Sequence, residues 1–127
     1  MGTDPAEAAR LAAEDQRVRR DEAARKQAMF AEVLELDPDD PLALMGLGQA
    51  LETLGDDRGA AEHLARALAG QPGNSPLYAS YGRVLARLGR TAEAAAVYRD
   101  GIAVASRKGD LMPLREMEHR LRLLDPA

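Results

Sequence analysis

An all-α stack of antiparallel helix pairs is the fold class this chain predicts, and three observations carry it. One residue pattern occurs twice in the 127 residues, over 41–74 and again over 75–108. Asp-Pro or Ser-Pro stands at the start of each copy, a pairing of helix cap and first-turn proline. The apolar content is mainly Leu, Ala, Val and Met, with no Trp and a single Phe, which suits close helix contacts. A helix pair cannot bury its apolar face alone, so copies must stack to make a core.

The elements follow in order. Asp4-Pro5 with Glu7 reads as an N-cap, a first-turn proline and a capping-box acid. Helices are expected over 5–19 and 22–36; no glycine or proline marks the break, so one long helix is the alternative. Asp40-Pro41 opens a helix over 41–54, followed by one over 58–70. Ser75-Pro76 repeats the device for 76–88, followed by 92–106 and 111–124. Gly55 and Gly89 end the first helix of each copy, where a left-handed residue is needed. Gly48 and Gly82 lie inside helices at a cost of roughly 0.5–1 kcal/mol relative to Ala. Close passage of a neighbouring helix offsets that cost, with Ala60 and Ala94 as the expected small partners.

Superposing the copies pairs Leu44 with Tyr78, Leu47-Gly48 with Tyr81-Gly82, Leu51 with Leu85, and Gly55 with Gly89. It also pairs Ala60 with Ala94, Leu64 with Tyr98, and Ala67 with Gly101. This order of large and small residues resembles the tetratricopeptide repeat (TPR) family, in its small stand-alone bacterial form. Pro72 matches the family's closing proline, whereas Ser106 replaces it in the second copy and lets that helix run on, into Arg107. Upstream, Phe30, Val33-Leu34 and Pro38 match only the back half of a repeat, and Glu14 and Lys26 stand where glycine and alanine are wanted. The resemblance implies a right-handed superhelical, TPR-like solenoid in one domain over 1–127. Its parts are a degenerate first helix pair (5–36), repeats 41–74 and 75–108, and a capping helix over 110–124.

Such stacks hold a peptide or partner helix on the face lined by the first helix of each pair. The resemblance maps that groove onto Leu42, Met45, Gln49, Glu52 and Thr53, then Pro76, Ala79, Arg83, Ala86 and Arg87. Arg83 and Arg87 share a helix face. With Gln49 and Met45 they suit an acidic segment, unless they merely solvate the helix and pair with Glu52 or other acids. The chaperone-tail version of the family uses lysine and asparagine where Met45 and Gln49 stand, so that activity is not expected. The implied function is a non-catalytic scaffold or adaptor for a protein or peptide partner; the alternative is a module that self-associates through its stack ends.

Charge varies along the axis. Residues 1–40 carry 11 acids and 6 bases, 41–74 carry 4 and 2, 75–108 carry 2 and 6, and 109–127 carry 4 and 3. This dipole suits either solubility or head-to-tail association. The net charge of −4 argues against nucleic acid, and the tyrosines near the arginines read as packing rather than as a base-stacking platform. Without cysteine there is no thiol chemistry or disulfide, and no apolar run approaches the ~18–20 residues of a membrane span. His63 and His119 sit apart in different repeats and read as surface or inter-repeat residues, and Asp37, Asp39 and Asp40 lack the glycine and glutamate of a calcium loop. No catalytic, cofactor or metal site is expected, Tyr78, Tyr81 and Tyr98 read as core, and the expected setting is cytoplasmic, as a monomer or weak homodimer.

Both ends of the stack need covers. Leu111, Leu114, Met117, Leu121 and Leu124 give the C-terminal helix one apolar face. Residues 5–19 offer only Ala8, Leu11, Ala12 and Val18, interrupted by Asp15 and Gln16. That segment is expected to be loosely held, swung out or lent to a second molecule, while the helix around Phe30 and Leu34 packs on 41–54.

Overall fold

The computed structural model describes Gly2 and residues 4–124, and among these every regular element is helical. The six helices are α1 (Pro5–Leu36), α2 (Pro41–Leu54), α3 (Asp57–Gly70), α4 (Ser75–Arg87), α5 (Thr91–Lys108) and α6 (Leu111–Leu124). Each packs on the next, and α2, α4 and α6 also touch one another in turn. No such contact joins α1 to α3 or α3 to α5. The stack therefore has an inner row, α2–α4–α6, and an outer row, α1–α3–α5, spaced more widely.

Of the two readings of the N-terminal segment, the single long helix holds: α1 runs unbroken through residues 19–22 for 32 residues. The segment is rich in Ala, Glu, Arg and Lys, all strong helix formers, and contains nothing that ends a helix. Exposed pairs one turn apart, such as Arg19–Asp15 at 2.9 Å, add a few tenths of a kcal/mol each by the usual helix-pair scale. Asp4 caps α1, accepting from the Ala6 amide at 3.2 Å.

Asp40 caps α2 through the Ala43 amide at 2.8 Å, and Asp56 caps α3 through the Gly59 amide at 3.0 Å. Ser75 departs from the expected cap role. It is the first residue of α4, fully buried, and its hydroxyl donates to Asp110 at 2.5 Å, tying the start of α4 to the turn before α6. Gly55 and Gly89 adopt the expected left-handed backbone, with φ of 85° and 78°. Helix α5 extends past Ser106 to Lys108 and stops at Gly109, also left-handed.

The internal glycines are contact points, though with different neighbours from those expected. Leu64 lies over Gly48 and the Tyr98 ring over Gly82, so a large side chain rather than Ala60 or Ala94 fills each notch. Leu64 and Tyr98 are among the most deeply buried large residues in the molecule. Tyr78, also in the core, donates its hydroxyl to the Pro72 carbonyl at 2.7 Å. On α6, Met117 is fully buried against Gly101, and Leu114, Leu121 and Leu124 pack beside it. Leu111 was expected on that face but is 58% exposed, lying at the very start of α6.

Candidate functional site

The residues expected to line a groove lie on α2 and α4 of the inner row, and they fall into two neighbourhoods. Glu52, Arg83 and Arg87 meet α6 and α3 in one ion network. Arg83 Nε donates to Glu52 at 3.0 Å and its Nη1 to Glu116 at 2.9 Å. Arg87 Nη2 donates to Glu52 at 2.9 Å and lies 3.1 Å from Asp57. Ser80 Oγ accepts from Arg83 at 3.2 Å.

Burial opposes charge on both sides of this network, and pairing outweighs it. Desolvation pushes the Glu52 carboxyl upward, yet bonds from Arg83 and Arg87 hold it below the usual carboxylate range. Desolvation likewise pulls Arg83 and Arg87 down, and the facing carboxylates raise both above the ordinary guanidinium value. The two arginines are thus matched by Glu52, Asp57 and Glu116. They are not a free cationic patch awaiting an acidic peptide. Asp57 and Glu116 were not singled out from sequence, because their nearness depends on how α3 and α6 pack.

Beside the network, Pro76, Ala79, Ser80 and Arg83 of α4 face Met112, Pro113 and Glu116 of α6 across an open cleft. Met112 is 82% exposed. An unbranched thioether left in water beside proline and alanine is an adaptable apolar contact.

The second neighbourhood lies at the other end. Met45 and Gln49, with Leu42, Gly46, Ala50 and Thr53 of α2, face Arg19, Glu22, Ala23, Lys26 and Phe30 of α1 across a cleft of about 400 Å³. Here Phe30 lies over Gly46, a close contact that the residue pattern did not reveal because the second copy has Ser80 at the equivalent position. A side chain at Gly46 would enter the Phe30 ring.

His63 bonds the Gly59 carbonyl at 2.8 Å within its own helix, and His119 is exposed on α6. Among the described residues no three metal-ligating side chains converge, and no helix is long and apolar enough to cross a membrane.

Comparison with known proteins agrees with this architecture. The sequence pattern of the Tetratricopeptide repeat family matches residues 8–75 and 58–109. A TPR repeat-containing protein of Pseudomonas aeruginosa is 35% identical over 89 residues, covering 70% of this chain and 85% of that protein. Among solved structures, PcrH in complex with the chaperone-binding region of PopD superposes with a TM-score of 0.77 at 16% identity, over 97% of this chain and 94% of that one. The TPR2B domain of yeast Sti1, in its complex with pHsp70, gives 0.73 at 16% identity, over 91% and 98%. The translocator chaperone SycD of Yersinia enterocolitica gives 0.73 at 15%, over 97% and 94%.

Proposed function

The chain belongs to the tetratricopeptide repeat family, and from that premise we propose that it is a non-catalytic scaffold that holds a partner's peptide or helix on its inner row. The observation that carries the reading is Met112, an exposed apolar side chain facing Pro76 and Ala79 across the α4–α6 cleft. Exposed apolar groups in a concave setting gain when a partner covers them, at roughly 25 cal/mol per Å² of apolar area. The Sti1 domain and PcrH, both solved as complexes, support the reading by fold alone.

The ligand this surface fits is an amphipathic segment. Its apolar side chains would rest on Met112 and Pro76, and its polar groups would bond the rim of the Arg83–Glu116 network. Preference for a strongly acidic peptide does not follow, because displacing Glu52 or Glu116 from the arginines leaves a half-buried carboxylate unpaired.

Selection from a displayed random-peptide library on the immobilised protein tests the proposal. Enriched peptides should share spaced apolar residues and lose binding to Pro76→Glu and Met112→Glu, both at exposed positions. Peptides that bind both variants as tightly as the parent chain would place the groove elsewhere.

A further inference from the structure

The inner and outer rows do not contain equal numbers of partners for α2. Helices α4 and α6 each lie against an outer helix that precedes them and an inner helix before that, but α2 has only α1 in front of it. The α1–α2 cleft is the place where one more inner helix would lie. Its floor is small or flat, with Ala23, Gly46, Ala50 and the Phe30 ring, and its rim carries Glu22, Lys26, Gln49 and Leu42.

The same chain holds a helix of the right length with nothing against it. At 1.5 Å per residue α1 is about 48 Å long and α2 only about 21 Å, so roughly half of α1 overhangs. Every described residue before Ala23 is exposed, Leu11 at 53% and Val18 at 48% included. Residues 8, 11, 12, 15, 18, 19, 22, 23, 26 and 30 follow one another at helical spacing, so the overhang and the cleft share one face of α1.

That face is complementary to itself. Two α1 helices laid antiparallel about a two-fold axis between residues 20 and 21 bring each residue opposite one whose number completes the sum 41. Leu11 then meets Phe30 of the partner subunit, Val18 meets the partner's Ala23, and Ala8 meets the partner's Val33. Asp15 meets the partner's Lys26, and Arg19 meets the partner's Glu22. Apolar faces apolar and each charge faces its opposite.

We infer that residues 5–19 of a second copy occupy the α1–α2 cleft, and that the exchange is reciprocal, making a two-fold dimer. The occupant runs antiparallel to α1 and hence alongside α2, completing the inner row. This surface is separate from the α4–α6 cleft, and its failure or success leaves the peptide-binding proposal untouched.

Charge swapping tests it on the whole chain. Light scattering over a concentration series should show the parent protein passing from monomer to dimer. Asp15→Lys alone and Lys26→Asp alone should each weaken that dimer about tenfold or more, since each sets like charges together twice across the axis. Mixing the two variants should restore a one-to-one heterodimer, because position 15 of each chain then faces an opposite charge at position 26 of the other. Leu11→Asp, at an exposed position, should leave the circular dichroism and melting of the monomer unchanged while abolishing the dimer.

A parent chain that stays monomeric at every concentration overturns the inference; residues 5–19 would then fold back on their own cleft or leave it to another protein. Variants that dimerise as well as the parent, or a mixture that gains nothing over its components, overturn it equally, because pairs within one chain cannot be repaired by mixing.

Discussion

Helix α4 and the first half of α1 have similar lengths and opposite fates. Eight of the 13 residues of α4 are buried, Leu77, Val84 and Leu85 completely. Ala23 is the only buried residue in the 32 of α1, and it lies beyond the midpoint. Both segments are helical, but for different reasons. Helix α4 is held by neighbours on both sides, while residues 5–22 are held by local propensity and by pairs such as Arg19–Asp15. Isolated helices of that length are marginal in water. Continuity of a helix therefore says little about how firmly its parts are held.

Substitutions should reproduce the contrast in thermal unfolding followed by circular dichroism. Tyr98→Ala empties the notch over Gly82 in the densest part of the stack and should cost about 3–5 kcal/mol. Gly82→Leu drives a side chain into the same ring and should cost at least about 1–3 kcal/mol; an unchanged midpoint would refute that contact. Removing the Asp40 cap with Asp40→Ala should cost about 1 kcal/mol. Leu11→Ala, on the overhang, should stay within about 0.5 kcal/mol for the dilute protein.

Acid probes the ion network of the packed region. The Glu52 carboxyl is held below its ordinary 4.5 in the folded chain, so its contribution is complete above that value. It is lost as pH falls through the lower, folded pKa. Glu52→Gln should therefore flatten the acid limb of the stability curve below about pH 4.5. Equal limbs for Glu52→Gln and the parent would show that the network does not hold the carboxylate in its charged form.

What could be read in the sequence was whatever recurs or acts locally. The 34-residue offset revealed the repeats, and Gly55 and Gly89 announced their turns through backbone chemistry alone. Met117 was legible because it lies on a helical stripe. The partners of Ser75, Arg83 and Arg87 were not, since Asp110, Glu116 and Asp57 reach them only through packing between helices some 30 or more residues apart. Gly46 stayed hidden because its contact with Phe30 occurs once and has no counterpart in the second copy. Whether α1 breaks near residues 19–22 stayed open in the sequence because no glycine or proline marks a stop there, and local propensity carries the helix through.

Hydrogen exchange, read segment by segment at several protein concentrations, bears most directly on the division between a self-sufficient stack and an unpartnered helix. Residues 5–19 should exchange sooner than 24–36 in dilute solution and gain protection as concentration rises, while 76–88 should remain protected throughout. Protection of 5–19 equal to that of 76–88 in a dilute monomer would overturn that division, by showing that the N-terminal segment already belongs to the stack.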